Sequence, residues 1–201
     1  MKSLQHVFSL CVLATASWFV FYFPARGATA SDGAKPAAGN DAAQADGKHD
    51  FDYEIGTWKI HLKKRLHPLA GSDQWADYEG TSVTRKMWDG AANLEEFNTE
   101  GASGRMEGLT LRLYNPESHQ LSIFWANKKD GILGMPAMTG QFKNGRGEFY
   151  DQEVFEGRTI FVRFIWSDIR ANSAHFEQSF SADGGKTWEV NWITDQTRVK
   201  P

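Results

Sequence analysis

The chain has 201 residues, of which 41% are hydrophobic and 23% are charged, and its formal net charge is -3 at pH 7. This is the composition of a globular protein with one domain of ordinary size. The mildly acidic balance and the lack of a basic cluster give no reason to expect nucleic acid or an anionic membrane surface as a partner.

The first thirty residues have the layout of a secretory signal peptide. Lys2 supplies a short positive region, residues 7–23 form an uncharged apolar run, and residues 28–30 form a small-residue cleavage pattern. The apolar run is close to the lower limit for spanning a bilayer, so an uncleaved membrane anchor is the alternative. We expect cleavage after residue 30, a periplasmic or secreted protein, and no other contact with a membrane.

Cleavage removes Lys2, Arg26 and the only cysteine, Cys11, and changes the formal net charge from -3 to -5. An exported domain without cysteine has to be stabilised by burial alone, without disulfides. Residues 31–49 contain scarcely any apolar side chain larger than Ala, so they cannot bury enough area to offset their ordering entropy. We therefore expect a disordered leader over 31–49 and a folded domain over 50–201.

From residue 51 onward, short aromatic and β-branched runs alternate with Gly, Pro, Asn and Asp, which is typical of an all-β protein. The predicted strands are 55–66, 77–88, 93–100, 109–114, 120–127, 141–143, 148–155, 158–168, 175–181 and 188–194. Between the fifth and sixth strands, Gly134, Pro136 and two methionines indicate an edge, a bulge or a flexible loop over 132–139.

About ten short antiparallel strands with hairpin connections favour a single up-and-down β-barrel. A β-sandwich is the alternative, but nearly every break looks like a local turn, and closure of a barrel also removes the sheet edges. The turn 181–188 resembles an Asp-box, in which the Asp side chain binds the turn amides. A single copy is a turn device and indicates no glycosidase chemistry.

Gly56-x-Trp58 on the first strand, together with Arg198 just beyond the last strand, resembles the lipocalin and calycin signature. This resemblance implies a calycin-type barrel in which the arginine stacks across the tryptophan and closes the barrel floor. The folded region also resembles the DUF1579-like bacterial domains of unknown function. The segments that carry this second resemblance are 54–58, 112–116, 145–151 and the turn 181–188 with Trp192. It implies no established activity and no catalytic residues.

The sequence contains no pattern that predicts a metal, a cofactor or covalent catalysis. The five histidines after the signal segment show no H-x-H or H-x-x-x-H spacing, although a three-ligand site assembled across strands stays the alternative. A haem held by one histidine is not expected, and His175 would be the only candidate. There is no G-x-S-x-G motif, no cysteine nucleophile and no glycine-rich phosphate loop before a helix.

Polar residues alternate with apolar ones on strands that otherwise look buried. Arg112 and Arg163 each lie between two apolar neighbours. Alternate residues of a strand point to opposite faces, so the arginines lie either on a solvated outer wall or inside the barrel. A buried arginine requires an anionic partner, which is either a glutamate of the chain or a ligand carboxylate.

Fatty-acid-binding relatives of the calycin architecture hold a carboxylate with arginine and tyrosine inside the barrel. By this analogy the anchoring residues are Arg112, Tyr114, Tyr150 and Arg163, and the wall is formed by Phe124, Trp125 and Trp166. We therefore predict an exported barrel that binds a small, partly apolar ligand, which could be an anion. One alternative is a lyase or isomerase with a Tyr or Glu proton carrier. The other is a filled barrel with a structural or interaction role. A hollow interior favours ligand binding or catalysis.

Overall fold

A computed structural model of the protein describes residues 46–200. The predicted signal peptide, its cleavage site and leader residues 31–45 lie outside this range. The strands are β1 (Gly56–Arg65), β2 (Trp75–Met87), β3 (Ala92–Gly101), β4 (Gly104–Asn115), β5 (Gln120–Asn127), β6 (Met138–Lys143), β7 (Arg146–Phe155), β8 (Arg158–Arg170), β9 (Ser173–Ser181) and β10 (Glu189–Arg198). Two 3₁₀ helices, Asp52–Glu54 and Trp88–Gly90, complete the elements of this part of the chain.

The ten strands form one closed barrel in which each strand is antiparallel to its neighbours in sequence. Closure comes from β1 and β10, which pair over seven positions with Trp58 opposite Arg198. This confirms the prediction of a single up-and-down β-barrel and excludes the sandwich. The β5–β6 ladder is the shortest, with three paired positions. Within residues 46–200, no helix is long and apolar enough to cross a membrane.

Only β5 has the predicted bounds at both ends, and β4, β6 and β10 differ most from the prediction. β10 continues to Arg198, whereas the predicted last strand ends at residue 194. β4 and β6 begin five and three residues before the predicted starts. Each contains a glycine that interrupts the strand pattern in the sequence, so the prediction begins too late. A side chain at Gly140 would come within 2.0 Å of the Glu148 carbonyl oxygen on β7, and one at Gly108 would come within 2.3 Å of the Trp125 ring. These glycines are therefore strand residues that make room for a neighbour.

The apolar side chains of the interior form two clusters. One is built mainly on β5 to β9 and contains Phe51, Leu121, Ile123, Met138, Phe149, Ile160, Val162, Trp166 and Phe180. The other is built on β1 to β3 and contains Trp58, Ile60, Leu62, Tyr78 and Phe97. Burial of these side chains is the main stabilising contribution, since the described domain contains no cysteine.

Trp58 closes one end of the barrel and is completely buried. Its indole Nε1 donates a hydrogen bond to the Glu54 carbonyl oxygen at 2.8 Å, which ties the strand to the 3₁₀ helix before it. The Arg198 guanidinium carbon lies 4.2 Å from the Trp58 ring centroid, which is cation–π geometry. The stacking predicted from the lipocalin resemblance is therefore confirmed.

Arg198 also joins three backbone segments at this floor. Its Nη1 donates to the Ile55 carbonyl oxygen at 2.7 Å, its Nε donates to Ala171 O at 2.8 Å, and its Nη2 donates to Tyr53 O. Gly56 lies directly beneath the guanidinium with φ at 118°, and a Cβ there would approach Arg198 Nη1 to 2.9 Å. The glycine two residues before Trp58 is thus required by both the backbone conformation and the arginine.

We expect Arg198→Ala to lower the free energy of unfolding by about 3 kcal/mol, because it removes the ring contact and three charge-assisted hydrogen bonds. Urea denaturation followed by tryptophan fluorescence measures this change. The matched control is Arg158→Ala at the exposed start of β8, which should alter the stability by less than about 0.5 kcal/mol. Equal effects of the two substitutions would show that the floor contact is not stabilising.

Candidate functional site

The barrel is hollow and encloses a cavity of about 260 Å³. Its lining residues are Glu95, Phe97, Thr110, Arg112, Ile123, Trp125, Glu153, Phe164, Trp166, Phe176, Gln178, Phe180, Trp192, Thr194 and Gln196. Glu153 is near the end of β7 and Trp192 is near the start of β10, so the open end of the cavity lies opposite the floor formed by Trp58. A volume just below the usual range for ligand pockets suits a small molecule.

Seven of the fifteen lining residues are aromatic, and their rings pack against other aromatic rings. Phe97 lies 5.9 Å from Trp125 and 6.2 Å from Trp192, measured between ring centroids. On the opposite wall, Trp166 lies 4.6 Å from Phe176. Because each ring is held by its neighbours, the cavity presents preformed flat apolar surfaces. Such surfaces suit a planar or aromatic ligand.

The deep end of the cavity carries a buried arginine that the protein itself neutralises. The Arg112 side chain is only 3% exposed. Its Nη2 donates to Glu95 Oε2 at 2.7 Å, and its Nη1 donates to Asn93 Oδ1 at 3.1 Å. Its guanidinium carbon lies 4.7 Å from the Phe51 ring centroid. The anionic partner that a buried arginine requires is therefore a glutamate of the chain.

A second carboxylate, Glu54, lies beside this pair and is completely buried. Its nearer oxygen is 4.0 Å from Arg112 Nη2, and neither carboxylate oxygen has a hydrogen-bond partner within residues 46–200. Burial raises the pKa of Glu54 to about 7; Arg112 opposes this increase, and the negative charge of Glu95 adds to it. Burial likewise raises the pKa of Tyr53 well above its usual value. One guanidinium thus serves two carboxylates.

Polar groups on β9 and β10 line the other side of the cavity. Trp192 Nε1 donates to Thr194 Oγ1 at 2.8 Å, and Gln178 Nε2 donates to Asn191 Oδ1 at 2.7 Å. Gln196 is buried, and its Oε1 has no hydrogen-bond partner in the described part of the chain. A buried acceptor without a partner is unfavourable unless a ligand donor or a water satisfies it.

Charged groups also lie near the open end. Glu153 lines the cavity there, and its pKa is raised by burial and by the neighbouring Asp151. Lys64, near the end of β1, places its Nζ 5.5 Å from the Trp192 ring centroid. Burial lowers the pKa of this lysine. The entrance therefore carries charges of both signs.

Three of the seven residues predicted to bind a ligand line the cavity. Arg112 is at its deep end, and Trp125 and Trp166 belong to its aromatic wall. Their places on β4, β5 and β8 follow from strand alternation once the inward face is known. Their role in binding a ligand stays a prediction.

The other four predicted residues do not line the cavity. Phe124 alternates with a cavity residue and lies on the other face of β5. Tyr114, at the end of β4, donates its hydroxyl to the Asp46 carbonyl oxygen at 2.7 Å. Tyr150 is 44% exposed on the outer wall. Arg163 is also outside, with its guanidinium carbon 4.4 Å from the ring centroid of Trp188. Tyr150 and Arg163 lie opposite each other on the β7–β8 ladder, but on the outer wall, so the four proposed anchors do not form one site inside the cavity.

Several cavity residues were not predicted from the sequence, although the positions of Thr194 and Gln196 follow from strand alternation. Arg198 pairs with Trp58 across the β1–β10 ladder, so the alternate residues 196 and 194 share its face. Glu95 follows similarly from the register of the neighbouring strands. Glu54 gives no such signal, because it lies in a 3₁₀ helix that has no strand periodicity.

The histidines and acidic residues of residues 46–200 do not form a group that could bind a metal ion. His175 Nδ1 is 2.7 Å from Asp195 Oδ1, and its Nε2 is 3.4 Å from Glu177 Oε1. These two carboxylates raise the pKa of His175 against the opposing effect of burial.

Comparison with known proteins identifies the fold. No protein-family model matches the sequence, and no curated protein matches it. The structure is similar to the S-type phycobiliprotein lyase CPES from Guillardia theta, with a TM-score of 0.53 and 11% identity over 75% of this chain and 91% of that one. It is also similar to Rv2717c from M. tuberculosis, with a TM-score of 0.51 and 10% identity over 75% and 98% of the two chains. Both are barrels of the calycin and lipocalin kind. At these identities the similarity shows the fold alone.

The raised pKa of Glu54 predicts how stability depends on pH. Its ordinary value of 4.5 becomes about 7 in the folded protein, so between these values the folded chain holds the proton more tightly than the unfolded chain. This contribution is fully present below about pH 4.5 and is lost as the pH rises through about 7. In the wild-type protein, the free energy of unfolding should therefore fall by about 3 kcal/mol over this range. We expect the Glu54→Gln variant not to show this fall.

Urea denaturation at a series of pH values measures this dependence. The control is Glu117→Gln in the exposed β4–β5 turn, which should keep the wild-type dependence on pH. If Glu54→Gln and the wild type lose stability in parallel between these pH values, Glu54 is not the titrating group.

Proposed function

We propose that this protein is an exported binding protein that holds a small, partly apolar molecule inside its barrel. The observation that carries the proposal is the aromatic-walled cavity of about 260 Å³, which ends on a buried polar cluster. Apolar walls supply the free energy of binding, and a few fixed polar groups orient the ligand. A ligand of one or two aromatic rings matches this volume.

The alternative of a filled barrel receives no support from a cavity of this size. The lyase or isomerase alternative receives some support from Glu54, whose pKa of about 7 suits proton transfer near neutral pH. However, Glu54 is completely buried and does not line the cavity, and a proton carrier has to reach its substrate. Non-covalent binding is therefore the function that the geometry supports best.

The two solved neighbours contribute the barrel architecture to this proposal and no ligand. One of them is named a phycobiliprotein lyase, but an identity of 11% carries over neither an activity nor a substrate. Membership of the DUF1579-like domains is also our proposal, and it rests on the sequence segments named above.

Export is supported by the charge and hydrophobicity pattern of residues 1–30. We expect the protein recovered from the cell envelope or medium to begin at Ser31, because the small-residue pattern ends at Ala30. Intact-mass spectrometry of that protein tests this. A mass that includes the first thirty residues would instead support the membrane anchor.

Ligand binding is tested by blocking the cavity. We expect 2-naphthylmethanol, a neutral two-ring probe, to bind the wild-type protein in isothermal titration calorimetry. Thr110→Phe should weaken this binding by at least about tenfold, because the new ring occupies the cavity beside Arg112.

Leu109→Phe is the matched control, since it also introduces a phenylalanine, but one residue earlier and on the outer face of β4. It should leave the affinity unchanged. Equal losses in the two variants, or no binding to the wild type, would contradict the proposed binding site.

A further inference from the structure

The charges at the deep end of the cavity do not balance. Arg112 is the one cation there, and Glu95 and Glu54 lie 2.7 Å and 4.0 Å from its Nη2. In the described part of the chain, neither glutamate forms an ion pair with any other group. With both carboxylates ionised, this end of the cavity has a net charge of -1. The imbalance is energetically costly because the groups are buried.

Arg112 is already engaged by groups of the protein, so its surroundings disfavour a ligand anion. Both terminal nitrogens already donate, to Glu95 and to Asn93. The third guanidinium nitrogen, Nε, is buried and has no partner within residues 46–200. A ligand carboxylate at Arg112 would have to displace Glu95 or lie beside two carboxylates of the protein. Both arrangements are unfavourable.

The cavity does have a free acceptor. Gln196 Oε1 is buried on the cavity wall without a hydrogen-bond partner in the described chain. Glu95 also lines the cavity, and its hydrogen bond to Arg112 uses only Oε2. A cavity lined by free acceptors and negative charge favours a hydrogen-bond donor, and most strongly a charged donor.

The aromatic wall is compatible with a cation. Two cations of the protein already lie over cavity rings: Lys64 Nζ is 5.5 Å from the Trp192 centroid, and Arg112 Cζ is 5.9 Å from the Trp166 centroid. A ring face that is desolvated and preformed attracts positive charge through its quadrupole. Trp125 adds a third indole to the lining.

We propose that the cavity selects a planar ligand with a cationic or hydrogen-donating end, such as an aromatic amine, and disfavours the corresponding carboxylate. This inference rests on the proposed function and names its ligand class. The positive or donor end lies toward Glu95 and Gln196, and the rings lie against the indoles. The ligand then supplies the second positive charge that Glu54 and Glu95 lack.

Binding of such a cation is linked to the protonation of Glu54. The charged or titratable groups that face Glu54 are Arg112 on β4, Glu95 on β3 and Tyr53 on its own 3₁₀ helix. A ligand cation near Glu95 favours the ionised form of Glu54, so it binds more tightly as Glu54 loses its proton. The affinity should therefore rise with pH through about 7, the pKa of Glu54.

Three probes with one ring system and different polar ends test the inference: 2-naphthylmethylamine, 2-naphthylmethanol and 2-naphthoate. Titration calorimetry at about pH 7.5, where the amine is protonated, should give the amine an affinity at least about tenfold above that of the carboxylate. The alcohol should lie between them. The amine alone should bind more weakly below about pH 7, and Glu54→Gln should remove that dependence.

Glu95→Gln removes one negative charge from the cavity and should reduce the preference for the amine over the carboxylate by about tenfold or more. Glu96→Gln is the matched control, because the next residue on β3 points outward and pairs with Arg85 at 2.8 Å. The control should keep the wild-type preference.

The outcomes separate this inference from the proposed function. If the carboxylate binds the wild type as tightly as the amine, or if Glu95→Gln leaves the preference unchanged, the ligand class is wrong while the binding site stands. If none of the three probes binds, both proposals fail. Because the probe series uses the wild-type protein, the test does not depend on the folding of a variant.

Discussion

The structure depends on the contact between the first and last strands, where the Arg198 guanidinium stacks on Trp58 and binds three carbonyl oxygens. The contact lies on the β1–β10 ladder that closes the sheet, so every strand has two neighbours. It also seals one end of the barrel. A cavity with one closed end can hold a polar cluster out of water, which is where Arg112 and its two glutamates lie.

Much of the fold could be predicted because strand alternation and turn residues are local signals. The bounds of β5 agree with the prediction, and the number of strands and their antiparallel order are confirmed. The errors at β4 and β6 have a physical cause that a single sequence does not display. Gly108 and Gly140 look like breaks, yet each lies in a strand where a neighbouring ring or backbone occupies the space of a side chain.

The site was less predictable because polarity does not separate the inside of this barrel from the outside. Arg112 is inside and Arg163 is outside, although both lie between apolar neighbours. Arg163 is accommodated on the outer wall by stacking on Trp188, which lies in a distant turn of the sequence. Glu54 belongs to a 3₁₀ helix without periodicity. Its unusual surroundings arise only when β3 and β4 bring Glu95 and Arg112 to it.

The short β5–β6 ladder has a consequence for the size of molecule that the barrel admits. Only three positions of these two strands are paired, and beyond them β5 is joined to the loop before β6 by the Ala126–Leu133 bridge and a 2.7 Å hydrogen bond from Gly134 N to Trp125 O. Local separation of two strands costs least where their ladder is shortest. We expect any widening of the wall to occur on this side, while Trp58 and Arg198 keep the floor closed. We therefore expect about 260 Å³ to be the smallest volume that the barrel offers a ligand, with any added space on the side of β5 and β6.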